Sequence, residues 1–428
     1  MSDHWQRRAA GTVLGALAAG AALFALAAPA AAADGDWFAY DAAVAADWTV
    51  TVADADRVEI RPLAGGSDAQ QVLVLYSKPS AAYAIAISKI LAVMHDGGIN
   101  AEVTVVNYGD DDARGRQALA LADQLGSDLI FAMGSNAAAW LWDSYRDGAI
   151  PVVTVCAKDP VVLGQVDSYD RGTGTNFAFT SLNMPVEVQM AYVLDLMPNL
   201  QNFGILVDAQ NVSAVETQAK PIADFAQALG IEVQYLAVED PANARTELAG
   251  LVAGAVAIMQ QTDPELTASA FWITGSTSVF REIQTINRHS DRAPVLSVAP
   301  EVVREGSDSA VVSIGISFES NAHLAAIYGV DVLQGRARAG DLPVSIVTPP
   351  DIAINFLRAR RVGFGCRSPS SRAPAPSTTM TACWCAATAS ASRPANSAAG
   401  IRRGDPARAA RSAVPSLSAS APRLRRAP

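Results

Sequence analysis

From residue 71 the chain alternates between two rhythms. Short continuous apolar runs, such as "QVLVLYS" (71–77), are followed by stretches where apolar residues return every three or four positions, such as Ala81 to His95. The first kind reads as a strand buried on both faces, the second as a helix with one apolar side. "AEVTVVNYG" and "ARGRQALALADQLG" repeat the pair, then "LIFAMG" and "NAAAWLWDSYR", and "PVVTVCA" adds a further strand. The rhythm restarts after Asn183. "PVEVQMAYVLDLM" predicts a helix broken at Pro198-Asn199, and "NFGILVD" a strand. "SAVETQAKPIADFAQALG", "ARTELAGLVAGAVAIMQQ" and "SVFREIQTINRHS" read as helices, and "IEVQYLAV", "ASAFWIT", "APVLSVA" and "SAVVSIGIS" as strands. "SNAHLAAIYGVDVLQG" is a helix closed by Gly335, and "LPVSIVTPPDIAINFLRARRVGF" brings the chain back across both halves. Strands separated by helical periods predict parallel βαβ units.

Two α/β lobes in tandem follow from this pattern. Lobe 1 spans 71–182 with a return segment at 310–363, and lobe 2 spans 183–309. Residues 34–70, with the alternating run "WTVTVADADRVEIRPL", form an N-terminal extension. Ligands of open parallel sheets sit outside the carboxyl ends of the strands. Those ends carry Ser77-Lys78-Pro79-Ser80, Gly134-Ser135-Asn136, Ala157-Lys158-Asp159-Pro160, Asp208 with Asn211 and Ser213, Gly275-Ser276-Thr277-Ser278, Ala299-Pro300-Glu301, and Ser317-Phe318-Glu319. Small hydroxyl and amide side chains at helix starts serve equally as N-caps and as ligand donors. At the Lys158-Asp159 pair, Lys158 reaches a ligand carboxylate and Asp159 a ligand ammonium, or Asp159 caps a turn opened by Pro160.

Charge and motifs narrow the function. A net charge of -10 over 428 residues argues against a nucleic-acid partner. No Gly-x-Ser-x-Gly elbow and no Walker loop occurs, and "GTGTNFA" (172–178) lacks the third glycine of a dinucleotide fingerprint. His95, His289 and His323 sit in or beside predicted helices, away from any nucleophile motif. Cys156 reads as a small buried hydrophobe, and Cys383-Trp-Cys385 lacks zinc-site spacing. No catalytic residue, cofactor or metal site is therefore expected. The segment 1–33, with Arg7-Arg8, an apolar stretch and Ala31-Ala32-Ala33, reads as a signal peptide cleaved after Ala33, for the general or the twin-arginine route. No other apolar run approaches the ~20 residues of a membrane span.

Composition breaks after Phe364. From Cys366 onward there are ten Arg, no Lys and one Asp, a charge of +9, which leaves -19 before it. The segment 365–428 has no apolar period and its composition predicts disorder. Codons can be chosen for "PSSRAPAPSTTMTACWCAA" that, two bases on, read Phe-Phe-Glu-Ser-Ala-Ser-Thr-Val-Tyr-Asp-Tyr-Asp, a strand-like continuation. We hypothesise a frameshift over the alternative, a native basic tail that binds anionic surfaces; resequencing that returns an intact frame would refute it.

"IPVVTVCAKDPVVLGQV" followed by "GTGTNFAFTSLNMPVEVQMAYVLDLMPNLQNFGILVD" resembles the exported substrate-binding proteins of bacterial ABC transporters, in the branch with tryptophan- and tyrosine-type components. "PVLSVAPEVVREGSDSAVVSIGISFESNAHLAAIYGVDVLQG" and "PPDIAINFLRARRVG" fit the same pattern, over residues 71 to about 363. The resemblance implies a type I periplasmic-binding fold, two Rossmann-like lobes with parallel sheets joined by a hinge. It implies a monomeric periplasmic receptor that takes a small, amino-acid-like solute and delivers it to an ABC permease of the inner membrane. The cleft it implies is lined by Ser80, Tyr83, Gly134, Ser135, Lys158, Asp159, Asn176, Asn211, Gly275, Ser276, Thr277, Glu301 and Ser317. Gly275-Ser276-Thr277-Ser278 departs from the Asp-Asn type turn of many relatives, which leaves ligand identity open. A sensing module for a membrane kinase and an exported α/β hydrolase are the alternatives; the lack of an activated nucleophile argues against the second.

Overall fold

The computed structural model describes residues 37–365 and a two-residue strand at Ala31–Ala32. Apart from that strand, the expected signal peptide and its cleavage point lie outside the described residues, as does the tail from Cys366.

Lobe 1 is built on β1 (Trp48–Asp54), β2 (Arg57–Pro62), β3 (Gln70–Tyr76), β4 (Ala101–Asn107), β5 (Leu129–Met133), β6 (Val152–Val155) and β7 (Phe177–Ala178). Their order in the sheet is β1-β2-β4-β3-β5-β6-β7. β3 to β7 are parallel. β5 is buried at every position, as a strand covered on both faces must be. Helices α1 (Ala81–Asp96), α2 (Asp112–Leu125) and α3 (Gly134–Tyr145) connect these strands. The extension 34–70 does not stand apart from lobe 1. β1 and β2 form an antiparallel hairpin, and β2 pairs with β4. Trp48 is buried and Thr49 exposed, the alternation of an edge strand with one wet face.

The chain leaves lobe 1 through β8 (Thr180–Ser181). Lobe 2 follows with α4 (Val186–Leu196), β9 (Asn202–Asp208), α5 (Lys220–Ala228), β10 (Glu232–Val238), α6 (Ala244–Met259), β11 (Ser269–Ile273), α7 (Ile283–His289), β12 (Val295–Ser297) and β13 (Val312–Gly315). α8 (Phe318–Leu333), β14 (Ser345–Ile346), β15 (Asp351–Ile354) and α9 (Phe356–Arg361) complete the described chain. The sheet order is β10-β9-β11-β12-β13-β15, parallel except for β15, which runs against β13. β9 and β11 are buried throughout and bring Phe203 and Trp272 into the core.

The return segment 310–363 is divided between the lobes, which corrects its assignment to lobe 1. β13 and β15 complete the lobe 2 sheet. Only α8 and β14 go back: α8 packs on α1, β5 and β6, and β14 pairs with β8. The chain thus crosses between lobes three times, after β8, between β13 and α8, and between β14 and β15. Three crossings make a hinge, because each absorbs part of a rotation while both cores stay packed.

In each sheet the first strand of the βαβ series lies in the middle. β4 and β5 flank β3, and β10 and β11 flank β9. Connections leave in opposite directions at β3/β5 and at β9/β11, which opens a crevice at the carboxyl ends of those strands. The loops after β3, β5, β9 and β11 are therefore the places where backbone can meet a ligand.

Candidate functional site

The lobe 1 wall is set by close packing around Gly134. Ser80 Oγ caps α1 by accepting the Ala82 N–H at 3.3 Å. Tyr83, one turn into α1, is buried with its ring edge against Tyr76, centroids 5.1 Å apart. Its hydroxyl stands over Gly134, where a built Cβ would overlap it, and Gly134 has φ +84. Both space and backbone require glycine there. Burial pushes the Tyr83 hydroxyl pKa well above its ordinary value. Ser135 Oγ accepts the Lys158 N–H at 3.0 Å, tying the loop after β5 to the loop after β6. Asn136 turns away and donates to Asp110 at 2.9 Å.

The loop after β6 carries the cation. Cys156 takes the left-handed conformation, φ 53, rare for a side-chain-bearing residue and concentrated at functional sites. Its N–H donates to Asn321 Oδ1 at 2.7 Å. Lys158 is buried, and burial lowers its pKa from 10.5 to about 8. Its ammonium crosses to lobe 2 and lies against Gly275. Asp159 does not offer a free carboxylate. Oδ1 accepts the Val161 and Val162 N–H groups at 2.9 and 3.2 Å, and Oδ2 accepts the Tyr169 hydroxyl at 2.6 Å. It is a turn cap, and its oxygens are committed to lobe 1.

Lobe 2 supplies the facing wall. Asn211 Oδ1 accepts the Ser213 hydroxyl at 3.0 Å and the Ala214 N–H at 3.3 Å, and Nδ2 donates to Ser276 Oγ at 3.3 Å. Asn211 thus joins the two loops of the lobe 2 switch point. Gly275 N–H donates to Gln218 Oε1 at 2.8 Å. Thr277 opens a short helix and is half-buried. Glu301 Oε1 accepts the Phe318 N–H at 2.7 Å, while Oε2 is buried without a partner. Burial raises the Glu301 carboxyl to about 7, helped by Asp351 and Glu319 and opposed by the N–H groups it accepts. Glu301 and Lys158 both act on the Cys156 thiol: burial raises that thiol most, Glu301 adds to the rise, and Lys158 opposes it. Ser317 caps α8 through the Ser320 N–H at 3.0 Å, and its own N–H donates to Asp351 Oδ2 at 2.9 Å.

Asn176 lies elsewhere. Its carbonyl accepts the Val152 N–H at the start of β6, and its side chain bonds Asp147 N–H and the Ile150 carbonyl. That is the amino end of the sheet, opposite the cleft, where Asn176 staples a loop. The reading by strand ends also passed over residues that matter. Gln218 sits on the π-helical turn Val215–Ala219 before α5, off any strand end. Asn321 lies inside α8, with Oδ1 on Cys156 and Thr180 and Nδ2 buried without a partner. The only sequence signal for Asn321 is a polar residue on the buried face of a helix. Phe280 and Phe318, with centroids 6.5 Å apart, add apolar surface near these groups.

Among the described residues no group of side chains is arranged to hold a metal ion. Two surface hollows, of about 500 and 580 Å³, lie on lobe 2 beside Met197 and Arg361 and beside Lys220 and Tyr235. Neither includes a strand-end residue named above, and neither brings opposite buried charges together.

The family profile for ABC transporter substrate binding proteins matches residues 72–366. No curated protein sequence matches the chain. Several solved structures share its fold. An ABC domain in complex with L-Trp from Streptococcus pneumonia is 18% identical, with 69% of this chain and 96% of that one covered, at a TM-score of 0.55. A conserved domain protein from Vibrio cholerae is 17% identical, with 70% and 96% covered, at 0.56. The ligand-free, open form of a substrate binding protein with adhesive properties from Clostridium difficile is 18% identical, with 70% and 97% covered, at 0.52.

Proposed function

Because the chain belongs to the family of ABC transporter substrate-binding proteins, we propose that it is a periplasmic receptor that captures an amino-acid-like solute between its lobes and delivers it to an ABC permease. The observation that carries this reading is a pair of opposite charges. Lys158 of lobe 1 is buried and Glu301 of lobe 2 half-buried, neither has an ion-pair partner among the described residues, and the buried Glu301 Oε2 lacks any hydrogen bond. Charges taken out of water without a partner are costly, and a ligand that pairs with them removes that cost. A zwitterion does so at both ends, its carboxylate on Lys158 and its ammonium on Glu301. Of the two acids the sequence offers for the ligand ammonium, Asp159 and Glu301, Glu301 takes the role, because the oxygens of Asp159 are occupied.

Tyr83, Phe280 and Phe318 offer apolar surface for a side chain. One similar solved structure holds L-Trp, so aromatic amino acids come first in a screen. The receptor works as a monomer, since one chain supplies both walls.

A thermal-shift screen of the mature protein, residues 34–428, against the standard L-amino acids tests the reading. One ligand class raises the melting point, and at 100 times Kd the stabilisation is about 2.7 kcal/mol. Lys158→Ala reduces the shift. A sharp melt that no amino acid moves would overturn the assignment of solute.

A further inference from the structure

The loop after β6 is held residue by residue. Cys156 N–H donates to Asn321 Oδ1 at 2.7 Å, the Ala157 carbonyl accepts the Leu182 N–H at 2.9 Å, and Lys158 N–H donates to Ser135 Oγ at 3.0 Å. α8, the crossover after β8, and α3 supply these three partners. The bond from α8 carries the strained residue. Cys156 has φ 53, which a residue with a side chain keeps only when its surroundings impose it. Asn321 is fully buried, and its carboxamide has one possible orientation, because a backbone N–H can only donate and so demands Oδ1. The Thr180 hydroxyl reaches the same oxygen at 3.2 Å. Nδ2 is left buried without a partner, which is costly. An apolar residue would avoid that cost, so the carboxamide stands there for its oxygen. The same helical turn also reaches lobe 2. Phe318 N–H donates to Glu301 Oε1 at 2.7 Å, and Asn321 N–H donates to the Ser317 carbonyl at 3.1 Å. The first turn of α8 thus touches Glu301 at its start and the Lys158 loop at its end.

We propose that Asn321 is the positioning residue for Lys158: by holding the Cys156 N–H it fixes the left-handed turn that sends the Lys158 side chain across to Gly275, and through the first turn of α8 it sets that side chain's place relative to Glu301. The part Lys158 plays toward a solute rests on the reading of this protein as a receptor for amino-acid-like solutes; its placement does not. Without the Asn321 oxygen, the Cys156 N–H is buried and unpaired, and the backbone relaxes out of the left-handed region to find water. The two residues that follow turn with it, and the ammonium leaves its buried place.

Two measurements test this, and the first needs no ligand. The chain has four lysines, Lys78, Lys89, Lys158 and Lys220, so lysine labelled with carbon-13 at Cε gives four resonances to follow against pH. Lys158 titrates near 8 in the native protein because it is buried. Asn321→Leu keeps the branched outline, removes the acceptor and moves that midpoint up towards 10.5 as the ammonium reaches water. Thr180→Val removes the other bond to the same oxygen and spares the bond to Cys156; it lowers the melting point and leaves the midpoint near 8. Movement in both variants, or in neither, overturns the proposal. Cys156→Gly supplies a residue that takes the left-handed conformation unaided, and the thiol it removes, pushed far up by burial, is neutral over this range. In that background Asn321→Leu leaves the midpoint near 8. A rise as large as in the native background shows that Asn321 does not act through the Cys156 turn, and overturns the proposal; this double variant decides the matter if Asn321→Leu alone does not fold. The second measurement is calorimetry with each standard L-amino acid. Asn321→Leu weakens binding by about tenfold, the loss of one charge-assisted bond, and Thr180→Val by less than about twofold. Unchanged affinity beside a shifted midpoint overturns the role of Lys158 toward the solute and not its placement. If no amino acid binds the native protein, the receptor reading fails and the titration still decides whether Asn321 places Lys158.

Discussion

At the scale of single residues, the cleft is shaped as much by missing atoms as by polar ones. Gly134 carries two constraints at once, a left-handed backbone and the Tyr83 hydroxyl in the place of its Cβ. Gly134→Ala is expected to cost about 1 kcal/mol for the backbone and about 1–3 kcal/mol more for the overlap. Tyr83→Phe in the same chain relieves the hydroxyl's share of the second part and leaves the ring carbon Cζ, 2.7 Å from the built Cβ, and the first part. Urea unfolding of the two single variants and the double variant separates them; a double variant no more stable than Gly134→Ala would show that the ring, not the hydroxyl, sets the cost of the overlap. The sequence made the candidate positions legible because strand ends in parallel sheets face the ligand crevice. It did not reveal which candidates are free to bind. Asp159 and Glu301 both look open in the sequence, but Asp159 is saturated in the fold and Glu301 keeps one oxygen unpaired. Asn176 sits in a glycine-rich run that resembles a binding loop, yet the run enters β7 at the far end of the sheet. Hydrogen-bond saturation and the end of a sheet are both tertiary properties, and no local pattern encodes them.

At the scale of elements, the crossover into α8 is the most informative joint. α8 packs on lobe 1, but its first N–H groups are held by carboxylates of lobe 2. Ser317 N–H donates to Asp351 Oδ2 at 2.9 Å and Phe318 N–H to Glu301 Oε1 at 2.7 Å. Acids at a helix N-terminus satisfy otherwise unpaired donors and complement the helix dipole. Asp351→Ala is expected to cost about 1–2 kcal/mol, with Asp351→Asn recovering part of it, by urea unfolding. A loss below about 0.3 kcal/mol would show that water replaces the bond freely. The individual strands of both sheets were legible because parallel strands covered on both faces read as continuous apolar runs. Their partners were not. Val312–Gly315 reads as the start of a return to lobe 1 and instead pairs with Leu296 and Ser297 of β12. The hairpin of residues 48–62 reads as an appendage and instead extends the lobe 1 sheet through β4. The predicted helix "SVFREIQTINRHS" is two pieces, Thr277–Phe280 and α7. Strand pairing is decided by which edges are free once the lobes form, and a one-dimensional pattern carries that only weakly.

At the scale of the whole molecule, Lys158 and Glu301 stand on different lobes, so under the proposed reading closing on a solute and choosing a protonation state are one event. A zwitterion needs Glu301 ionised and Lys158 protonated. Burial raises the first to about 7 and lowers the second to about 8. Below pH 7 Glu301 is increasingly protonated and cannot hold the ammonium. Above pH 8 Lys158 is increasingly neutral and cannot hold the carboxylate. Affinity is therefore expected to peak between about 7 and 8 and to fall by about tenfold per pH unit well outside that window, since each limb requires one proton to move. Calorimetry from pH 5.5 to 9.5 gives the profile. Glu301→Gln should flatten the acid limb alone, and Lys158→Met the alkaline limb alone, each with weaker binding at pH 7.5. X-ray scattering over the same range should show the compaction on ligand addition fading along the same two limbs, because closure is what brings the charges to the solute. A flat profile in the native protein, or limbs that survive in the variants, would place the solute's charged ends on other groups and return the cleft to a site read by shape alone.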